Sequence, residues 1–460
     1  MLHIRTASGE RLFDVNLASF HATLPGGMSA VRALKQHLHS MCGLSRFQRL
    51  IFLDAQDDEK NEKKEADDDV VLDDEHTLRP GEAQVVLLSF CESSEAQVKA
   101  LLDAAESGRT AAVESLLQRP QDPDLCRERS TFTALFAASK NGYLEVVRLL
   151  LEANADKDKA AHDGATPLYI AAEQRHWQVV HLLLEANADK DKAMHDGATP
   201  LYVAAARGHR EVARLLLEAN ADKEMVLHDG AITPLYIATE KWRVEVVRLL
   251  LEANADKDKA IFDGATPLYN AAKKGRVEVA RLLLEANADK DKAMHDGTTP
   301  LYIAVKNCHW EVVHLLLEAN ADKDIVMRDG ARFATPLHIA AGKGCVEVAR
   351  LLLEDKDKAT HVGATPLYMA AAHGHLEVVH LLLVANADKD KATHHGETPL
   401  YIAAENGHLE VARLLLEANA DKDKDKATHD GEIPLYIAAA EGHSEVARLL
   451  QEPNVENIKA

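Results

Sequence analysis

Apolar residues along most of this chain come in paired bursts, and each pair predicts two short helices. The stretch from Asp163 to Lys190 is a clear specimen. Leu168, Ile170, Ala171 and Ala172 supply the apolar stripe of a first helix. Val179, Val180, Leu182, Leu183 and Leu184 supply that of a second, from Trp177 to Glu185. Such spacing, wider than strict alternation, is the helical signature. Thr166 stands where an N-cap belongs, and Pro167 at the first helical position, where a missing N–H costs nothing. Asp163-Gly164 ahead of them is a tight-turn pair. A break at Arg175-His176 predicts a reversal. Ala186-Asn187 predicts the second helix end, because Asn tolerates left-handed backbone better than most residues with a side chain. The polar Ala-Asp-Lys-Asp-Lys-Ala leads on to the next turn.

This pattern returns with a period close to 33 residues. Thr-Pro-Leu-Tyr begins at Thr166, Thr199, Thr233, Thr266, Thr299, Thr365 and Thr398, and Thr-Pro-Leu-His at Thr335. Degenerate copies start at Thr133 and Ile433. A fixed period of this size marks stacked supersecondary units, none of which can bury its apolar helix faces alone. The Asn recurs at 154, 220, 254, 287, 320, 386 and 419.

With Gly164, Gly197, Gly230, Gly264, Gly297, Gly330, Gly363, Gly396 and Gly431 at the turn, the consensus Asp-Gly-x-Thr-Pro-Leu-x-x-Ala-Ala-x-x-Gly-His-x-Glu-Val-x-x-Leu-Leu-Leu-Glu resembles the ankyrin repeat. The resemblance implies a mainly α fold, an α-solenoid of about ten full units over residues 131–452. A looser half-match over 98–118 extends it to a degenerate capping unit at 95–130, and residues 453–460 form a tail. Two departures stand out. Tyr169, Tyr202, Tyr236, Tyr269, Tyr302, Tyr368, Tyr401 and Tyr436 take a place that ankyrin repeats usually give to His, kept only at His338, so the family's hydrogen bonds there do not carry over. The reversal Gly is replaced by Arg175, Trp242 and Cys308, which should strain those turns. Changes of length before Thr233, Thr335, Thr365 and Ile433 fall in connecting loops, so the helices are expected to keep their length.

Ahead of the repeats, Leu2 to Leu17 alternates as a hairpin around Ser8-Gly9. A helix is predicted from Ser29 through Val31, Leu34, Leu38 and Met41, then strands at Gln48–Leu53 and Val85–Phe90. Gln48-Arg49-Leu50-Ile51-Phe52, with Thr77-Leu78 ahead of the last strand, resembles the ubiquitin-like β-grasp, which implies a small α+β domain over 1–92. By that resemblance Ile51 occupies a surface place used in binding; strand alternation alone equally allows a core residue. Residues 54–75 carry 12 Asp and Glu and read as a solvated loop.

A net charge of −21 argues against nucleic acid as the main partner, since phosphate binding needs clustered Lys and Arg. Cys42, Cys91, Cys126, Cys308 and Cys345 are odd in number, lack metal-ligand spacing, and fit free thiols in a reducing compartment, although Cys308 and Cys345 occupy neighbouring reversals. There is no run of 18 apolar residues and no signal-peptide core in Met1 to Val15. A cytoplasmic monomer is expected, with the nucleus as alternative and no direct membrane insertion.

No nucleotide, metalloprotease or hydrolase motif occurs. The turn residues His162, His195, His228, His295, His361, His394 and His429 would stand about 8–10 Å apart on stacked helices, too far to share a metal. Glu145, Glu211 and Glu245 repeat with the unit and read as scaffold. The chain is therefore expected not to be an enzyme and to hold no cofactor or metal. In solenoids specificity lies where units differ. Arg207, Lys241, Arg243, Lys273, Lys274, Arg276, Lys306 and Lys343 make a local basic stretch suited to an acidic segment of a partner protein, in the concave middle of the array. Trp177, Trp242 and Trp310 are expected to pack half-buried between units. The function implied is an adaptor, its array holding a client and its ubiquitin-like domain recruiting a second factor of the ubiquitin–proteasome system. The alternatives are a tether between membrane proteins and cytoskeleton, or a regulatory subunit of an enzyme.

Overall fold

The computed structural model describes residues 2–6, 11–16, 19–20, 30–31, 33–34, 49–53, 70–72, 81–86, 94–118, 122–126, 131–227, 231–323, 327–329, 332–418 and 426–451. The chain divides into two compact units, Met1–Met225 and Val226–Ala460. The first opens with strands β1 (Leu2–Thr6), β2 (Arg11–Val15), β3 (Arg49–Leu53), β4 (Val70–Leu72) and β5 (Gly81–Val86). They form one sheet in the order β2-β1-β5-β3-β4. β1 runs parallel to β5, and the other pairings are antiparallel. Leu2 and Ile4 alternate into a core that also takes Val31 and Leu34, all fully buried.

The expected hairpin is present, Leu2 facing Val15. Two expectations need correction. Val70-Val71-Leu72 pairs with Phe52-Ile51-Leu50 as β4, inside the stretch read as a loop; three apolar residues in an acidic run suffice for an edge strand. The rest of 54–75 lies outside the described residues, as do the predicted helix from 35 to 41 and residues 87–90. The last strand begins at Gly81 rather than Val85, because its early residues are held by hydrogen-bonded ladders on both sides.

Among the described residues, this unit continues, after helical residues at 19–20, 30–31 and 33–34, with four helix pairs: Glu95–Glu106 with Thr110–Leu117, Ala134–Asn141 with Leu144–Glu152, Pro167–Glu173 with Trp177–Glu185, and Pro200–Arg207 with Arg210–Glu218. The second unit holds seven: Pro234–Glu240 with Val244–Glu252, Pro267–Lys274 with Val277–Glu285, Pro300–Lys306 with Trp310–Glu318, Pro336–Lys343 with Val346–Leu351, Pro366–Ala372 with Leu376–Val384, Pro399–Glu405 with Leu409–Glu417, and Pro434–Ala440 with Ser444–Gln451. Within each unit first helices pack on first helices and second on second. Leu168, Ala171, Ala172, Val180 and Leu183 are fully buried, whereas Leu182 and Leu184 are only half-buried. A nine-residue helix turns those two off the stripe.

Local chemistry explains the boundaries. The Thr166 hydroxyl accepts the Tyr169 N–H at 3.1 Å, and the same cap recurs at Thr199, Thr233, Thr266, Thr299, Thr365 and Thr398. Asn154, Asn187, Asn220, Asn254, Asn287, Asn320 and Asn386 all adopt positive φ, 57° to 60°. Asn419, Gly230, Gly330, His228 and the tail from 452 lie outside the described residues.

Insertions behave differently from the deletion. The three residues added before Thr335 build a two-stranded hairpin, β6 (Met327–Asp329) with β7 (Arg332–Ala334). The single addition before Thr233 gives a Leu227–Ile232 bridge around Ala231 at φ 58°. The deletion before Thr365 removes Ala-Asn-Ala, and with it the residue that ends the helix left-handed. That second helix stops at Leu351 after six residues, followed by a 3-10 turn Leu353–Asp355. The expectation of constant helix length fails at this one place.

Candidate protein-binding site

The variable positions sit at the reversal between the two helices of each pair. A first helix of seven or eight residues rises about 1.5 Å per residue, so the reversal lies one helix length from the turn glycine. The reversal residue needs left-handed backbone: Gly142, Gly208, Gly275, Gly344, Gly374, Gly407 and Gly442 supply it. Arg175, Trp242 and Cys308 adopt it too, at φ 68°, 58° and 59°, the strain their sequence implies.

One contact rule then runs through both units. The residue following a reversal lies over the reversal residue of the preceding pair. A Cβ on Gly142 would meet His176 Nδ1 at 2.4 Å, one on Gly275 would meet His309 at 2.7 Å, and one on Gly374 would meet His408 at 2.6 Å. Each such ring spans further back. His176 Nε2 is 3.0 Å from Lys140 O, His209 Nε2 3.0 Å from Glu173 O, His309 Nε2 3.2 Å from Lys273 O and His375 Nε2 3.1 Å from Gly342 O. This histidine series escaped the sequence reading, which took Arg175-His176 only as a break that reverses the chain. The other series, at the turn glycine, is structural as well: the His195 N–H donates to Asp163 O and that of His295 to Asp263 O. The Asp-Lys-Asp-Lys loop does more than connect. Asp189 N–H donates to Asp158 Oδ1 at 2.8 Å, Asp289 to Asp258 at 2.8 Å and Asp388 to Asp357 at 2.7 Å.

Gly108 is met by Tyr143 instead of a histidine, and at two further places the same rule brings together different chemistry. Arg276 lies over Trp242, its Cζ 4.9 Å from the ring centroid, a cation–π contact. Cys345 meets Cys308, and the two are disulfide-bonded with Cα atoms 5.5 Å apart. The expectation of free thiols is thus corrected for this pair: unit packing brings them together. Cys126 is free and exposed; Cys42 and Cys91 lie outside the described residues.

In the second unit the basic residues line successive reversals. Lys241, Arg243, Lys273, Lys274, Lys306 and Lys343 are exposed and Arg276 half-buried. Lys273, Lys274, Lys306 and Lys343 stand in the last turn of a first helix, and Lys241 directly follows one. Lys241 lies 3.9 Å from Glu240, and Lys306 6.0 Å from the Tyr302 ring. Lys273, Lys274 and Lys343 have no carboxylate partner among the described residues. Several of these lysines close a first helix, where the negative end of the helix dipole favours them. Trp242 and Trp310 are 55% and 45% exposed on the same edge, not packed between pairs as expected. Arg207, in the first unit, is engaged with Glu173 at 2.6 Å. Trp177, also in the first unit, is 43% exposed. Ile51 belongs to β3, opposite Val71 and Gln84; its side chain lies outside the described residues.

The position after Thr-Pro-Leu is buried or half-buried, and at His338, Tyr368 and Tyr401 it links pairs. His338 Nδ1 accepts from the Thr335 N–H at 3.2 Å and its Nε2 meets Ala364 O at 3.0 Å. Burial first, against the pull of the Ala364 and Lys358 carbonyls, holds its pKa down to about 4. Tyr368 and Tyr401 reach forward with their hydroxyls instead, to Glu397 at 2.7 Å and Glu432 at 2.8 Å. Burial, then the carboxylate, pushes both phenols up.

The family model of ankyrin repeats (three copies) matches residues 101–194, 187–261, 254–329, 327–393 and 383–459. The chain belongs to the ankyrin-repeat family. Its fold is accordingly an ankyrin-repeat solenoid that binds proteins, and the matched ranges begin after the N-terminal sheet. Among solved structures, the human ASB11 ankyrin repeat domain is 30% identical, aligned over 48% of this chain and 98% of its own, with a TM-score of 0.43. The ankyrin repeat domain of Bcl-3 is 24% identical over 55% of this chain and 97% of its own, with a TM-score of 0.42. Among the described residues, no three His, Cys, Asp or Glu side chains group to hold a metal, and no helix is long and apolar enough to cross a membrane.

Proposed function

We propose that this ankyrin-repeat protein is a non-enzymatic adaptor whose second unit holds an acidic segment of a partner protein along its helix reversals. One observation carries the reading: on a chain of net charge −21, Lys273, Lys274 and Lys343 are exposed without carboxylate partners among the described residues, beside the exposed Trp242 and Trp310. Charge selects an acidic ligand and the indole faces supply apolar anchors, the residue type that most often dominates interface energy. Capture of partner proteins from extract by the full chain, compared with its Lys273→Glu/Lys274→Glu/Lys306→Glu variant, tests it. The reading requires that the variant lose acidic partners that the parent retains; identical captured sets would reject it.

A second role rests on the N-terminal sheet. The order β2-β1-β5-β3-β4, with β1 parallel to β5, supports reading residues 1–92 as ubiquitin-like. In that reading this segment recruits a second factor, of the ubiquitin–proteasome system, through the face that carries Ile51. Binding of the full chain to ubiquitin receptors, and its loss in Ile51→Ala, is the expected result. Binding unchanged by that substitution would remove Ile51 from the site.

A further inference from the structure

We propose that Cys308 and Cys345 form a reversible dithiol–disulfide site that exchanges with anionic low-molecular-weight disulfides of the glutathione class. The repeat itself assembles the pair. Each residue after a reversal meets the reversal residue of the preceding pair, as His309 meets Gly275 and His375 meets Gly344; here both positions are cysteine. Their Cα separation of 5.5 Å falls within the range of about 4.4–6.8 Å that disulfides span. The sulfurs are therefore held within bonding reach by helix packing, with no movement of the backbone.

The two cysteines differ in access, which assigns their order of reaction. Cys308 is exposed at a left-handed position, whereas Cys345 is 6% exposed. Cys308 is the attacking thiolate: it displaces one thiolate from the small disulfide RSSR and becomes the mixed disulfide Cys308–S–SR. Cys345 then gives up its thiol proton and attacks Cys308 Sγ, expelling the second RS⁻ and closing the protein bond. In sum, protein dithiol and RSSR give protein disulfide and two RSH; the protein loses two electrons and two protons, and RSSR gains them. A dithiol reductant reverses the sequence. Lys306 and Lys343, each exposed and two residues before its cysteine, make the surroundings electropositive, which favours the thiolate and draws carboxylate-bearing disulfides.

The bond ties the pairs on either side of the β6–β7 hairpin, the longest connector among the described residues, and so fixes the spacing of Lys306 and Lys343. To test the site, the reduced full chain is freed of reductant, incubated with oxidised glutathione and mapped by mass spectrometry without reduction. Expected is a Cys308–Cys345 cross-linked peptide, accumulating to roughly ten-fold or more the extent of any adduct on exposed Cys126 at low oxidised glutathione, because the closing step is intramolecular. Cys345→Ser should stop at a glutathionyl group on Cys308, and Cys308→Ser should leave the Cys345 thiol unreacted, both with parental helix content by circular dichroism. A persistent glutathionyl group on both cysteines of the parent overturns the proposal. So does oxidation of Cys345 in Cys308→Ser at the parental rate, or a pair that stays reduced while Cys126 reacts.

Discussion

The imidazole of His309 closes over Gly275 so tightly that a β-carbon on the glycine would meet Nδ1 at 2.7 Å. The same ring reaches the carbonyl of Lys273, so one side chain reads the shape and the polarity of the preceding pair. Gly275 also holds φ +67°. Replacing Gly275 with Ala therefore combines left-handed strain with a clash, and should destabilise by about 1–3 kcal/mol. Urea unfolding followed by circular dichroism would register a lower midpoint; an unchanged midpoint would mean that the ring simply swings away.

Arg175 presents the opposite case, an ordinary side chain already bearing the left-handed penalty at φ 68°. Its side chain is exposed, so little packing is at risk. Arg175→Gly should stabilise by about 0.5–1 kcal/mol, the strain relieved less the entropy glycine gains in the unfolded chain. A fall in the thermal midpoint would show that Arg175 makes contacts that outweigh its backbone.

His338 makes this array acid-sensitive. Both ring nitrogens are engaged as a neutral imidazole needs, and protonating Nδ1 would set it against the Thr335 N–H. Folded, the group titrates at about 4; unfolded, near 6.5. Between those values the unfolded chain binds the extra proton, so stability is full above the upper value and falls as pH drops through the window. The loss is up to about 3 kcal/mol at 1.36 kcal/mol per unit. His338→Tyr, the residue used in most other units, should flatten the difference between urea midpoints at about pH 7.5 and pH 5. Equal pH dependence in parent and variant would assign the sensitivity elsewhere.

The Cys308–Cys345 bond closes a loop over a separation of 37 residues. Constraint of the unfolded chain over such a loop contributes about 4 kcal/mol. Reduction of the parent, or Cys345→Ser, should lower the unfolding free energy by that order, and reductant should have no further effect on the variant. A parent indifferent to reductant would show that the bond restrains little.

Much of this could be read in the residues alone. Thr166 as cap, Asn187 as left-handed terminator and the strain at Trp242 each follow from one residue's local chemistry, repeated often enough to be unambiguous. What stayed hidden depends on neighbours 26 to 40 positions away. The role of His309 is invisible until Gly275 of the preceding pair lies beneath it, and Cys308 looked like a free thiol until the same register placed Cys345 against it. Length changes misled for a related reason. Whether missing residues shorten a loop or a helix depends on which ones go, and before Thr365 the deletion removed the Asn that ends the helix. At the site, basic residues were legible as a group, but Arg207 proved engaged with Glu173, and the tryptophans turned out exposed, Trp242 at a reversal and Trp177 and Trp310 at the first position of a second helix.

The binding row is tested most directly by titrating the full chain with a peptide rich in Asp and Glu while following tryptophan fluorescence at low and high salt. Trp242 and Trp310 flank the lysines, so saturable binding with a change in emission is predicted, weakening steeply with salt. Lys273→Glu/Lys274→Glu/Lys306→Glu should weaken it by roughly ten-fold or more. Affinity that ignores both salt and charge reversal would contradict the account.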